Sequence, residues 1–249
     1  MAENKFPSEM IELPSGGKVY PKDSPLREGK LEIKYMTARE EDILTSQNLI
    51  KKGIVIERLL DSLILTKGVT SNDLVIGDKN GLMVAARILA YGPEYPSDVI
   101  HPKTGQVTNH IFNLADCEFK KIPKDIDGNS FEFELPVSKN KIKFKLLTGK
   151  DEQDIAKDIK AFEKLNKEVI PELTTRLRYI VISVDDDDTP GVINNYVQNM
   201  LSKDSLELRK EINRVAPDIT MEREIEIGGE MVTVQIPMAA NFFWPDTES

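Results

Sequence analysis

The sequence predicts an α+β fold built from two related units. Three patterns support this class: each half opens with two short strands, amphipathic helices follow them, and a strand–turn–strand segment lies between the halves. The chain has 249 residues, of which 40% are apolar, so it can bury a substantial core. We predict a first unit over residues 1–91, a hairpin insertion over 92–129 and a second unit over 130–249.

The first unit reads as strand, turn, strand and helices. Residues 10–14 are apolar and meet a Ser-Gly-Gly turn, and residues 31–36 alternate apolar and charged side chains, as a half-buried strand does. Thr37 and Glu40 have the spacing of a capping box, which predicts a helix that runs to about Lys52 and ends at Gly53. Two further helices are predicted, one with an apolar face at Ile56, Leu59, Leu60 and Leu63, and one that follows residues 78–81 and ends before Gly92.

The insertion resembles a degenerate zinc knuckle. A tight turn over residues 101–105 separates two short strand patterns, 98–100 and 110–112. A zinc knuckle would have Cys-Pro-x-Cys-Gly at this turn, whereas the sequence has His101-Pro-Lys-Thr104-Gly. Because Thr104 replaces a ligand, we expect a hairpin that keeps the shape of the knuckle without a bound metal.

The second unit repeats the opening pattern. Residues 133–136 match 11–14, residues 142–148 match 31–37, and Thr148 is followed by Asp151 much as Thr37 is followed by Glu40. We interpret this as an internal duplication. The next two helices are predicted from the apolar positions Ile155, Ile159 and Phe162, and Leu173, Leu177, Ile180, Val181 and Val184. The C-terminal extension is predicted to contain helices over 192–201 and 205–217 and a β-hairpin over 223–236.

Composition argues against several classes of function. The chain has 42 acidic and 33 basic residues and a net charge of −9, which disfavours binding to nucleic acids and to anionic membranes. No apolar run approaches the ~18 residues of a membrane helix, and the first five residues lack the pattern of a signal peptide. One cysteine excludes an intrachain disulfide.

No motif predicts catalysis, a cofactor or a metal site. The chain lacks the G-x-S-x-G, G-x-G-x-x-G and phosphate-loop patterns. His101, His110 and Cys117 do not have zinc-ligand spacing, and the acidic neighbours of Cys117 oppose a reactive thiolate. The run of acids at 185–188 is expected to be a solvated loop; a metal-dependent hydrolase that uses this run and one histidine is the alternative.

The aromatic segment Phe242-Phe243-Trp244-Pro245 has two interpretations. Large aromatic side chains near a terminus can fold back to close a core. Exposed tryptophan and phenylalanine can equally anchor a protein partner. The sequence leaves both open.

Specific strings resemble a known family. They are residues 13–16, residues 20–26 with their Tyr-Pro-x-x-x-Pro-Leu pattern (Ser24 precedes Pro25), residues 33–45 beginning Ile-Lys-Tyr-Met-Thr, and the aromatic segment 242–245. In these strings the chain resembles the baseplate proteins of T-even-like contractile-tailed bacteriophages, a family that includes a hub component and a hub-assembly factor. Some of those proteins carry the Cys-Pro-x-Cys-Gly knuckle, from which this chain departs at His101 and Thr104. A weaker similarity, of pattern alone, is to phage tail assembly chaperones.

The resemblance implies a non-enzymatic protein that takes part in assembly of the baseplate hub by docking to other hub or tail proteins, with no cofactor. It would act in the host cytoplasm during assembly; retention in the virion baseplate, and a homo-oligomeric state, are left open. The alternative within this class is a transient assembly chaperone absent from the mature virion. The candidate partner-binding residues are Phe242, Phe243, Trp244, Pro245, Tyr20 and Tyr35.

Overall fold

The computed structural model describes residues 6–101, 103–165, 168–238 and 240–243. Helices and short strands alternate along the chain and the sheets are small, which confirms the α+β class. Within these residues, no helix is long and apolar enough to cross a membrane.

Over the described residues 6–91, the first unit contains two antiparallel strands and four α-helices. Ile11 lies opposite Leu31 in the strand pair, and a short 3-10 helix, Pro25–Glu28, occupies the connection. The elements are β1 (Ser8–Glu12), β2 (Lys30–Lys34), α1 (Ala38–Thr45), α2 (Gln47–Lys52), α3 (Val55–Leu63) and α4 (Ile76–Tyr91).

Two helix boundaries in this unit differ from the prediction. The helix expected to reach Lys52 is broken at Ser46, whose extended backbone ends α1 and begins α2; the end at Gly53 (φ 69°) is as predicted. Helix α4 begins at Ile76 and includes residues 78–81, whereas the prediction placed its start after them. Tertiary contacts explain this earlier start, because Asp78 and Gly81 are buried against the β1–β2 connection and do not lie in an exposed loop.

The insertion is the predicted hairpin. Strands β3 (Glu94–Ile100) and β4 (Val107–Asn113) pair antiparallel, with Ile100 opposite Val107. A short 3-10 helix, Leu114–Asp116, follows β4.

The second unit has one strand that was predicted as helix. Residues Val181–Val184 form β7, which pairs with β6. Their apolar spacing fits a helix face as well as a buried strand, so pairing with the sheet decides the conformation. The elements are β5 (Phe131–Glu134), β6 (Lys141–Phe144), α5 (Gly149–Leu165), α6 (Glu172–Ile180), β7, α7 (Pro190–Asn199) and α8 (Ser202–Val215), followed by the ribbon β8 (Glu222–Ile227) and β9 (Glu230–Gln235) and the 3-10 turn Ala240–Phe243.

Both units join the second strand to the first helix through the same cluster of side chains. A lysine at the end of the second strand, or directly after it, contacts a carboxylate in the first helical turn at 2.7 Å in each unit. The capping threonine donates its backbone N–H to that carboxylate, at 3.0 and 2.9 Å, and its hydroxyl donates to the same group. The corresponding residues are Lys34, Thr37 and Glu40, and Lys145, Thr148 and Asp151.

Both units also return a third segment to the second strand. In the first unit, Ile64, directly after α3, lies opposite Ile33 of β2. In the second unit, Val181, directly after α6, lies opposite Phe144 of β6, the residue that corresponds to Ile33. In the first unit this is a single bridge, whereas in the second it continues as β7. The two units therefore follow the same chain path from the first strand to this return.

The units contact each other through backbone hydrogen bonds. The N–H of Ile76 donates to the carbonyl of Leu147 at 3.1 Å, and the N–H of Gly149 donates to the carbonyl of Leu74 at 2.9 Å. A Cβ on Gly149 would lie 2.5 Å from the Ser71 carbonyl oxygen, so only glycine allows this approach.

Two apolar clusters form the core. The first includes buried residues of both units, among them Leu31, Leu60, Ile142 and Leu208. The second joins α3 and α4 to the inner faces of the β3–β4 and β8–β9 ribbons. The units and the insertion are therefore packed on shared apolar surfaces.

The threonine caps predict a matched pair of stability losses. We expect Thr37→Ala and Thr148→Ala each to lower the free energy of unfolding by about 1 kcal/mol, because each removes a hydroxyl that bonds the first-turn carboxylate. Urea denaturation followed by circular dichroism measures this. Thr45→Ala, at an exposed position, is the control and should change stability by about 0.5 kcal/mol or less. Wild-type stability in both cap variants would contradict the assignment.

Candidate partner-binding surfaces

The two described phenylalanines of the aromatic segment lie in the core. Phe242 and Phe243 are each 1% exposed, and their rings meet edge to face. The Nε of Arg87, itself buried, donates to the Phe242 carbonyl at 3.1 Å, and Tyr95 packs on the Phe242 ring. Both rings thus fill the second cluster and are not open to a partner in this conformation. Trp244 and Pro245 lie outside the described residues.

The two candidate tyrosines have different environments. Tyr20 is buried; its hydroxyl donates to Asp78 at 2.6 Å and accepts from the Val75 N–H at 3.0 Å. Tyr35 is partly exposed, and its hydroxyl donates to Glu9 at 3.1 Å. Tyr20 therefore holds α4 to the first unit, and Tyr35 alone of the described candidates presents its side chain at the surface.

In each unit one buried aspartate holds the strand–turn–strand connection, and sequence reasoning missed both aspartates. The Asp78 carboxylate accepts from the N–H of Ser15 at 2.7 Å and from its hydroxyl at 2.6 Å. In the second unit the Asp204 carboxylate accepts from the N–H groups of Val137 and Ser138 at 2.8 and 3.0 Å. Both aspartates are 0% exposed and lie in the first turn of a helix, α4 or α8.

A sequence signal for this pair exists. Each unit has a Leu-Pro pair after its first strand, at 13–14 and 135–136, and each later helix begins with an aspartate four residues before a buried leucine, Leu82 or Leu208. The signal is spread over more than sixty residues in each unit. A search for local motifs does not find it.

The two aspartates differ in their titration. Burial raises the pKa of Asp78 above its ordinary 3.8, against the lowering effect of the Ser15 and Tyr20 hydrogen bonds. Burial also acts to raise the pKa of Asp204, but the N–H groups of Val137 and Ser138 outweigh it and hold the pKa below 3.8.

These directions predict opposite pH effects in Asp78→Asn and Asp204→Asn. A raised pKa in the folded state means that protonation of Asp78 stabilises the fold, so the stability deficit of Asp78→Asn should grow as the pH falls through that raised pKa towards 3.8. A lowered pKa means that the contribution of Asp204 is present above 3.8 and lost below it, so the deficit of Asp204→Asn should shrink. Urea titrations at several pH values measure both; equal slopes would contradict the assignment.

The knuckle-like turn is closed by a histidine. The Nδ1 of His101 accepts from the backbone N–H groups of Lys103 and Thr104 at 3.1 and 3.3 Å, and the imidazole is 3% exposed. Its Nε2 lies 3.8 Å from a carboxylate oxygen of Glu230 on the neighbouring ribbon. The imidazole thus bonds the turn internally, which explains how the hairpin keeps its shape.

The remaining candidates for chemistry have structural partners. Asp185 accepts from the Lys141 N–H at 2.7 Å and Asp187 from the Thr189 N–H at 2.9 Å, and these bonds lower the pKa of both carboxyls. Burial raises the pKa of the Cys117 thiol. In the part of the chain that the structure describes, no three His, Cys, Asp or Glu side chains are grouped to hold a metal ion.

The outer face of the β3–β4 hairpin is an exposed apolar surface. Alternate residues Tyr95, Val99 and Phe112 are buried against the core, so the intervening positions point outwards. On this outward face the hairpin patch consists of Ile100, Val107 and Ile111, each at least 58% exposed. Ile100 lies opposite Val107, and the hydrogen-bonded pair Asp98 and Asn109 separates them from Ile111. Exposed apolar side chains bordered by polar ones are a candidate contact surface for a protein partner.

A second apolar feature lies between the units. An open cleft of about 200 Å³ separates the start of α4 from α5 and the end of α8. Val75, Leu147, Ile212 and Pro217 are among its lining residues, and Lys145 and Glu152 are the charged ones.

Comparison with known proteins places the chain among the baseplate proteins of bacteriophages. A family model described as T4 bacteriophage base plate protein matches residues 7–244, nearly the whole chain. The chain belongs to this family, which confirms the resemblance found in its sequence. Neither the curated proteins nor the solved structures gave a match.

Proposed function

We propose that this baseplate protein takes part in assembly of the central hub as a non-enzymatic docking component that binds other hub or tail proteins. The observation that carries the proposal is the family match over residues 7–244. In this proposal the assembly step takes place in the host cytoplasm, and membership of the baseplate family supports a location in the tail of the virion.

The exposed hairpin patch supports docking. Ile100, Val107 and Ile111 lie on a ribbon whose opposite face is anchored in the second core cluster, so a partner meets a preorganised surface. The partner face that suits it is apolar with a polar rim. The net charge of −9 keeps the free chain dispersed before it assembles.

Binding to isolated tail components tests the proposal. The full chain is mixed with each candidate hub and tail protein of the same phage, and complexes are separated by size exclusion. We expect a stable complex with at least one hub component. A chain that elutes alone with every component would overturn the proposal.

Surface variants test the patch. We expect Ile100→Ser, Val107→Ser and Ile111→Ser combined to weaken that complex at least tenfold, because the variant removes the apolar area that these three side chains would bury against the partner. The matched control combines Leu173→Ser, Val192→Ser and Leu206→Ser, which are also exposed apolar residues, in the second unit. Equal affinities for both triple variants would remove the hairpin patch from the interface.

Immunoblots of purified virions separate a structural role from a transient one. Retention of the chain in virions supports a hub component. Absence from virions, together with a complex in infected cells, supports the assembly chaperone that the sequence left as the alternative.

A further inference from the structure

The second unit exposes an edge that the first unit uses internally. Leu201 in the second unit corresponds to Val75 in the first, because each is the extended residue before the helix that carries the buried aspartate. Their backbone angles agree, with φ −64° and ψ 153° for Val75 and φ −61° and ψ 138° for Leu201.

The two residues differ in burial because only one has a neighbouring unit. Val75 is 2% exposed and lies opposite Thr148, whereas Leu201 is 50% exposed. Within the described residues, neither Met200 nor Ser202 makes the backbone bonds that join Leu74 and Ile76 to the second unit. The edge over residues 200–202 therefore has the form of the internal contact without its partner.

The complementary surface is exposed on the first unit. The segment that receives Val75 is Leu147-Thr148-Gly149, and its counterpart in the first unit is residues 36–38. Gly149 is buried beneath Ser71, whereas Ala38 is exposed. The chain thus carries both halves of the contact a second time, one half in each unit.

We propose that copies of this chain associate head to tail, with the 200–202 edge of one copy against residues 36–38 of the next. The partner of the 200–202 edge is a second copy of the chain. A second copy presents residues 36–38, which are the counterpart of the segment that receives Val75 within the chain. Because the two edges are different surfaces, the association is heterologous and adds copies in a line unless its rotation closes a ring.

The contact between copies is weaker than the internal one. Ala38 has a Cβ where Gly149 has none, so the two backbones approach less closely at that point. In the second unit helix α7 precedes the edge, whereas an irregular segment with Ser71 precedes Val75, so the surroundings of the edge also differ. Each copy carries a charge of −9, and salt should therefore strengthen the association.

Sedimentation of the full chain tests the proposal. We expect the weight-average mass to rise above 28.1 kDa as concentration rises, and to rise further in high salt. The variants Leu201→Glu and Ala38→Glu each block one edge, and each should remain monomeric. Glutamate is tolerated at position 38 because it lies in the first turn of α1, where a negative charge is favourable.

Mixing the two variants is the decisive measurement. Leu201→Glu retains the 36–38 edge and Ala38→Glu retains the 200–202 edge, so the mixture should form dimers of about twice 28.1 kDa that grow no further. Met231→Glu, an exposed apolar position on the β8–β9 ribbon, is the control and should associate as the wild type does. A wild-type chain that stays at 28.1 kDa in high salt, or a mixture that stays monomeric, would overturn the proposal.

Discussion

Replacement of Asp78 by alanine should lower the free energy of unfolding by about 3 kcal/mol, the larger of two losses at equivalent sites. The variant leaves the Ser15 N–H, the Ser15 hydroxyl and the Tyr20 hydroxyl buried without their acceptor. Asp204→Ala removes the acceptor for the N–H groups of Val137 and Ser138, in a less buried connection, and should cost about 2 kcal/mol.

Chemical denaturation of both variants measures the difference. Ser15→Ala retains the backbone bond to Asp78 but removes the hydroxyl bond to Asp78 and the acceptor of the Gly17 N–H, so it should cost about 1–2 kcal/mol. Asp154→Ala, which removes a surface ion pair with Lys157, is the control and should change stability by about 0.5 kcal/mol or less. An Asp78→Ala variant as stable as this control would show that the hydrogen bonds of Asp78 do not hold α4 in place.

Among side-chain truncations in the C-terminal part of the chain, those of Phe242 and Phe243 should be the most destabilising. We expect Phe242→Ala and Phe243→Ala each to cost about 3–4 kcal/mol, because each ring is fully buried and its removal leaves a cavity between α4 and the two ribbons. Thermal unfolding followed by near-ultraviolet circular dichroism measures this.

Met10→Ala is the control for these truncations. Its side chain is 56% exposed, so a similar loss of volume should cost less than about 1 kcal/mol. Wild-type stability in both phenylalanine variants would return the aromatic segment to the role of a partner anchor.

Trp244→Ala tests whether Trp244 closes the core or anchors a protein partner. A core role lowers the melting temperature, whereas an anchor role lowers affinity for the hub component and leaves the melting curve unchanged. The phenylalanine variants provide the reference for a core loss of stability.

Local patterns predicted most of the elements in this chain. Alternation of apolar and charged residues marks β2, the Thr37 and Thr148 caps mark helix starts, and the Gly228-Gly229 turn lies in the predicted β-hairpin. These patterns are readable because hydrogen bonding and burial repeat over a few neighbouring residues. The resemblance to baseplate proteins was likewise visible in short strings of the sequence.

Tertiary contacts decided what the patterns left ambiguous. Residues 181–184 became a strand through pairing with β6, and residues 78–81 joined a helix because Asp78 reaches the β1–β2 connection. The lysine of each cap cluster and the two aspartates bind partners that lie beyond a turn or tens of residues away in the sequence. Patterns within a few neighbouring residues therefore do not identify them.

The sequence by itself determined the fold class, the repeated cap of each unit and the family. The tertiary structure decided which aromatic side chains are buried and which edges of the two units are paired. The physical reason is that capping and periodicity are local, whereas burial depends on what the rest of the chain places opposite a residue. Val75 and Leu201 have the same backbone conformation, and only the neighbouring unit makes one buried and leaves the other exposed.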